Sequence, residues 1–314
     1  MIELGFDFAA MACPCELRLQ GDDEAQLRRA AQAAIDEVRR IEKKYSRYYG
    51  ASVISRINAA AGGGQAIEVD DETAALLDFA ARLHALSGGL FDITSGVLRR
   101  AWDFRVPRVP AQPEIDALLP LIGWEKLRWS DRCIELPRAG MEIDFGGFGK
   151  EYAADRAAEV LLIETVTQGF VNLGGDIRLV GQRAEGSGWR IGIRDPRRDD
   201  ALLRTVELRS GALATTGDYE RYFELDGRRY CHLLDPRTGW PVSYWQSVSV
   251  IAPTCAAAGA ACTIAALEGE SGRDFLALQG LPFVLADPEG RVLIQSNSGG
   301  VHAVSGDYGN YVFV

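Results

Sequence analysis

Of the three histidines in this chain, His232 is the one surrounded by residues that do chemistry. It lies in the stretch from Gly211 to Val242, GALATTGDYERYFELDGRRYCHLLDPRTGWPV. Asp226-Gly227 stands between two strand-forming runs, RYFEL and RRYCHLL, the strongest short-range signal for a hairpin with a two-residue turn. That turn sets Leu225 opposite Arg228, Phe223 opposite Tyr230 and Arg221 opposite His232. Continued outward, the pairing brings Asp218 opposite Asp235. The open end then gathers Thr215, Thr216, Gly217 and Asp218 from one arm, with His232, Asp235 and Thr238 from the other. An imidazole beside carboxylates and hydroxyls can take a proton from a weak nucleophile. An ordinary hairpin with a polar end has the same spacing, so the rest of the chain has to decide between them.

A second stretch, Asp144-Phe-Gly-Gly-Phe-Gly-Lys150, reads as a strand end, a glycine turn and a helix start. Glycines let backbone approach a ligand closely, and the amides at the helix start together with Lys150 could hold a phosphate. It is not a P-loop, because the GxxxxGK spacing would need glycine at 144. Leu173-Gly-Gly-Asp176 is not a dinucleotide fingerprint, since GxGxxG is absent. There is no GxSxG for a serine triad, and nothing specifies a carboxylate-pair glycosidase.

The elements that must position these residues follow from pattern. Residues 12–20, ACPCELRLQ, read as a first strand. Asp22 or Asp23 caps a helix to about Lys44, with Leu27, Ala31, Ile35, Val38 and Ile41 on one stripe. Val53 to Asn58 forms a short helix, and Asp70-Asp71 caps a second long one stopped at Gly88-Gly89. Residues 113–122 suggest a short helix and 125–136 a strand or hairpin. MEIDFGGFGKEYAADRAAEVLL reads as strand, turn and helix. GFVNLGGDIRLVG, GWRIGIRDP, Val206 to Leu208 and QSVSVIAP are strands, the last feeding the helix TCAAAGAACTIAAL. FVLADPEGRVLIQSN is a hairpin, and residues 298–314 carry no clear pattern. Helices early and neighbouring hairpins late imply an α+β fold in one large domain, 1–314.

The chain has 314 residues, 47% hydrophobic and 25% charged, as in a soluble globular protein. A formal charge of −10 excludes a phosphate-backbone partner, so no nucleic acid is expected. No segment reaches the length of a membrane span. Six scattered cysteines and three histidines do not make a zinc cluster and point to a reducing compartment. With no signal-peptide pattern in MIELGFDFAA, the expectation is a cytoplasmic protein, or a periplasmic one if a leader precedes this sequence.

Taken together and in order, MACPC, SRYYGAS-VISRIN, GGLFDITSGVL, IDFGGFGKEYAADRAAEVL, VNLGGDIR, ATTGDYERYFELDGRRYCHLLDPRTG and SVSVIAPTCAAAGAACT resemble the successive motifs of the FAD:protein FMN transferase (ApbE) family. The resemblance runs from about residue 11 to 270. It implies a T-fold-related α+β domain with FAD in a cleft between two subdomains. It also implies a Mg²⁺-dependent reaction in which FAD is split at its pyrophosphate, FMN is esterified to a threonine (or serine) hydroxyl of an acceptor flavoprotein, and AMP leaves. Carried across, Met11 touches the flavin or its chain and Tyr48 stacks on the cofactor. Leu90, Phe91 and Asp92 line the adenosine-side pocket, and Asp144 accepts hydrogen bonds from FAD. Thr216 and Gly217 belong to the cofactor site. Lys150 stands near the pyrophosphate, and His232 is the base beside the transferring phosphate.

The metal site is where the resemblance departs from the pattern. The family supplies Mg²⁺ with a backbone carbonyl, here that of Gly147, and with an aspartate and a threonine one helical turn apart. Thr263 stands at the threonine position, but the aspartate position is Gly259. A carbonyl and a hydroxyl alone would hold Mg²⁺ weakly without the FAD phosphates. The sequence therefore leaves two readings, a flavin transferase and a non-catalytic FAD carrier.

Overall fold

A computed structural model describes residues 1–296 and, beyond them, only the backbone of 302–303 and 312–313. Most of the patternless 298–314 stretch thus lies outside the described residues. The chain opens with β1 (Ile2–Ala10) and β2 (Cys13–Gly21), an antiparallel pair turned at Met11 and Ala12, both at positive φ (53° and 59°). The run expected to be the first strand is therefore the second. β1 lies at the edge of its sheet, with residues that alternate between half-buried and exposed as far as the buried Ala10.

Asp23 caps α1 (Glu24–Tyr45), accepting from the amides of Ala25 and Gln26. Ser52 caps α2 (Val53–Ala59), and β3 (Ile67–Glu68) precedes α3 (Asp71–Leu86), capped by Asp70. A 3₁₀ helix over Ile93–Arg100, α4 (Gln112–Asp116), β4 (Arg128–Ser130) and β5 (Cys133–Glu135) follow. The next helix, α5, spans Gly149–Ile163. The expected strand before it does not form. The Asn58 side chain brackets Ile143, donating to its carbonyl (3.0 Å) and accepting from its amide (2.8 Å), while the Asp144 amide donates to Ile93 (2.9 Å). With these groups taken by a side chain and a distant carbonyl, no ladder can run through 141–145.

The second half supplies β6 (Gly169–Leu173), β7 (Asp176–Gly181), β8 (Trp189–Asp195), β9 (Arg198–Leu208) and β10 (Ala212–Gly217). After these come β11 (Tyr222–Leu225), β12 (Arg228–Cys231), β13 (Ser247–Ala252), α6 (Cys255–Leu267), α7 (Gly272–Leu278), β14 (Phe283–Ala286) and β15 (Val292–Gln295). Eight strands form one antiparallel sheet in the order β1-β2-β6-β7-β10-β13-β14-β15.

Both faces of its middle are covered, which explains why these strands read as near-continuous apolar runs. Val171, Leu173 and Ala212 join the core with α1 and α5, and Val248, Val250 and Leu285 join the core with α6. On the other face Phe170, Ile177, Leu179, Leu213 and Val284 pack with Trp189, Ile191 and Val206 of the β8–β9 pair.

The β11–β12 hairpin has the register read from sequence, with Phe223 opposite Tyr230, Leu225 opposite Arg228, and the His232 amide donating to Arg221 (3.0 Å). It docks through aromatics: Trp102 lies 5.9 Å from Tyr230 and 5.4 Å from Trp240, ring centre to ring centre, and donates to the Gly239 carbonyl (2.8 Å). Its open end differs from expectation. Asp218 is buried against Arg197 (2.6 Å) and Arg229 (3.4 Å), whereas Asp235 pairs with Arg237 (2.8 Å) and closes its own turn through Gly239 (2.7 Å). Each carboxylate has found a guanidinium of its own, so the two do not serve His232 together.

Candidate functional site

The glycine turn before α5 is held from several sides. Asp144 Oδ1 accepts from the Gly146 amide (3.0 Å), and Oδ2 pairs with Arg47. Arg47 also donates to the Tyr48 hydroxyl (2.7 Å) and lies 4.8 Å from the centre of the Tyr48 ring, which is 82% exposed. An exposed aromatic ring fixed by a guanidinium is a ready stacking platform. Phe91 packs against Gly147 so closely that a Cβ there would come within 2.9 Å of the ring.

Lys150 points from α5 into the turn between β6 and β7. It donates to the Leu173 carbonyl (3.1 Å) and pairs with Asp176, whose other oxygen accepts from the Thr215 amide (3.0 Å). Burial works against the Lys150 charge, but Asp176 and Glu151 outweigh it and hold the ammonium above its ordinary range. Two of its three N–H donors are committed, which leaves one for a ligand. Gly174 and Gly175, at φ 59° and 97°, make the tight turn, and a Cβ on Gly174 would strike the Cys13 Sγ at 2.8 Å. Cys13 thereby joins Lys150 and Asp176, and its Sγ lies 3.9 Å from that of Cys15. The hydrogen bond from Cys15 and the Lys150 charge outweigh burial and push the Cys13 thiol down.

His232 follows β12 and is partly buried, with Nδ1 shielded from solvent and without a hydrogen-bond partner. Burial, aided by the Arg221 and Lys150 charges, pushes its imidazole down to about 4. It is therefore neutral at pH 7 and able to accept a proton. Tyr219 follows β10, and its ring is why position 217 is glycine: a Cβ there would lie 2.4 Å from that ring. Thr216 is half-buried on the same strand.

Met11 sits at the β1–β2 turn, its amide donating to Glu42 (2.6 Å). Leu90, Phe91 and Asp92 are all buried. The Asp92 carboxylate accepts from the Thr94 amide (2.8 Å), the Thr94 hydroxyl (2.6 Å) and the Trp124 amide (2.8 Å). Asp92 also forms a trio of metal-ligand types with His84 and Glu125, but its lone pairs are already engaged in bracing the loop.

The α6 side holds the feature that the sequence reading missed. Thr254 and Asp155 both cap this helix, Asp155 accepting from the amides of Cys255 (2.8 Å) and Ala256 (2.9 Å). Gly259 on α6 faces Glu151, the residue after Lys150: a Cβ at 259 would lie 2.6 Å from Glu151 Cγ and 2.9 Å from Oε1. Glu151 is buried and its Oε2 has no hydrogen-bond partner. Burial and the nearby Asp176 push its carboxyl up to about 8, against the pull of Lys150. Asp176 closes the Leu-Gly-Gly-Asp turn already visible in sequence, but nothing in the sequence links position 151 to position 259.

Lys150, Glu151, Asp176 and His232 thus share one electrostatic neighbourhood beside a glycine turn and a docked aromatic hairpin. The ApbE family model matches residues 11–285. The FAD:protein FMN transferase of Rhodobacter capsulatus is 32% identical over 304 residues, 92% of this chain and 58% of that protein. The FAD:protein FMN transferase of Salmonella typhimurium is 33% identical over 196 residues, 59% of this chain and 56% of that protein. The chain therefore spans a little over half the length of these relatives. The crystal structure of the ApbE protein of Thermotoga maritima matches with a TM-score of 0.87 at 32% identity, covering 94% of this chain and 97% of that one. The flavin transferase ApbE of Vibrio cholerae matches with a TM-score of 0.82 at 26% identity, covering 94% and 97%. With a family model matched from the β1–β2 turn into β14, and the same fold in those structures, this chain belongs to the ApbE family.

Proposed function

We propose that this protein transfers FMN from FAD to a threonine or serine hydroxyl of an acceptor flavoprotein. The bond between the hydroxyl oxygen and the FMN phosphorus forms, the pyrophosphate P–O bond breaks, and AMP leaves. The observation that carries the reading is His232: a neutral imidazole with an unpartnered nitrogen, within the field of Lys150. A threonine hydroxyl is a poor nucleophile at neutral pH, and such an imidazole can take its proton. The third N–H of Lys150 would meet diphosphate charge, and the amides at the Gly146–Gly149 turn would add to it. Asp144 would orient the flavin dinucleotide, and Tyr48 would stack on it. Met11, Leu90, Phe91, Thr216 and Gly217 would shape the walls of the cofactor site.

The residues present suit a divalent cation, because a buried carboxylate oxygen lies unpartnered beside α6. The Gly147 carbonyl and Thr263 hydroxyl would be among its ligands. Mg²⁺ bound there would neutralise phosphate charge that grows as AMP departs. Among the described residues no helix is long and apolar enough to cross a membrane.

The test is incubation with FAD, Mg²⁺ and a threonine-bearing acceptor peptide. AMP and a fluorescent flavopeptide are expected. Flavin binding without either product refutes the transferase reading and leaves an FAD carrier.

A further inference from the structure

Glu151 carries a carboxyl oxygen without a hydrogen-bond partner. It lies in the first turn of α5, 9% exposed, with Oε2 shielded from water and donors alike. Its neighbour Asp176 is 1% exposed, and Lys150 pairs with Asp176 while its charge also reaches Glu151. Burial beside a second carboxylate makes the Glu151 charge costly to form, and no donor reaches Oε2 to stabilise it. A bound cation removes that cost.

The helix across from it is shaped to the same purpose. Gly259 is buried on α6, and the space its side chain would need is filled by Glu151 Cγ (2.6 Å), Cδ (2.9 Å) and Oε1 (2.9 Å). Thr263 stands one turn further along the same face of α6, and it is not fully buried. Gly147 belongs to the turn that leads into α5 and Glu151.

We propose that Glu151 supplies the carboxylate ligand of the divalent cation, standing in from α5 for the acidic side chain that α6 lacks at Gly259. The acid and the glycine form a matched pair: either helix can carry the carboxylate, but there is no room for both. The assignment rests on the transferase reading for the identity of the ion, and cation binding itself is measurable without flavin.

The experiment titrates Mn²⁺ into the full chain without FAD, read by electron paramagnetic resonance, with melting curves confirming that each variant is folded. Glu151→Gln keeps the shape and removes the charge, and it should weaken Mn²⁺ binding by at least about tenfold. The exchanged pair Glu151→Gly/Gly259→Asp should restore binding to within about threefold of the original, because the carboxylate re-enters the same volume from α6. Binding unchanged in Glu151→Gln overturns the assignment, as does a folded exchanged pair that binds no better than Glu151→Gln. The two readings fail separately. Glu151-dependent Mn²⁺ binding without AMP release from FAD removes the transferase and keeps the ligand. AMP release with Mn²⁺ affinity indifferent to Glu151 does the reverse.

Discussion

Replacing Lys150 with methionine isolates the interaction at the centre of the site. The change keeps the length of the side chain and removes the ammonium that donates to Leu173 and pairs with Asp176. The Asp176 side chain is 2% exposed and keeps the Thr215 amide as a donor, while Glu151 loses the Lys150 charge. Removing one partner of a buried ion pair costs about 3–5 kcal/mol, and the 26% exposure of Lys150 places the loss near the lower end. The orphaned acid can relieve part of this by taking a proton. Taking up that proton is easier the lower the pH. Lys150→Met should therefore be strongly destabilised at pH 7 and distinctly less so at pH 5. Urea unfolding followed by tryptophan fluorescence at both pH values measures this. A cycle with Asp176→Asn, which keeps the Thr215 contact, should return a coupling of about 2 kcal/mol or more at pH 7. A single-variant loss below about 1 kcal/mol, or effects that add without coupling, would refute the account of a buried pair that the fold depends on.

Three further outcomes follow from the same geometry. The unfolded His232 imidazole takes up its proton near its ordinary 6.5, whereas the native one resists down to about 4. The unfolded state therefore binds more protons across that window, and stability should fall by up to about 3 kcal/mol as pH drops from 6.5 to 4, a slope that His232→Leu should remove in pH-dependent unfolding. Gly147→Ala sets a methyl 2.9 Å from the buried Phe91 ring and should cost about 1–3 kcal/mol, measured as a lowered urea midpoint. An unchanged midpoint would mean that Phe91 moves aside. Tyr48→Ala should leave the melting temperature unchanged, because the ring is 82% exposed, yet weaken FAD binding by roughly 1 kcal/mol in a fluorescence titration. Equal affinity for both proteins would remove Tyr48 from the cofactor site.

What the sequence settled by itself is whatever neighbouring residues decide among themselves. Asp23 and Asp70 cap helices by accepting from amides two or three residues further on, and both were readable as polar residues before an apolar run. Asp226-Gly227, at φ 51° and 74°, fixed its hairpin because few other residue pairs adopt that turn. The ordered run of motifs likewise sufficed to point to the family. Contacts made across the fold were decided elsewhere. Asp218 and Asp235 looked like partners along a ladder, until guanidinium groups distant or adjacent in the chain drew them apart. Residues 141–145 carry strand-forming side chains but no strand, because Asn58 and Ile93 take their hydrogen bonds. The exchange between Glu151 and Gly259 is the clearest case. From sequence, 259 was a missing acid and 151 an unremarked one, and only the packing of α5 against α6 puts the carboxylate into the space the glycine leaves. Local sequence fixes backbone conformation through short-range sterics and hydrogen bonds, whereas a shared volume between two helices belongs to neither helix alone.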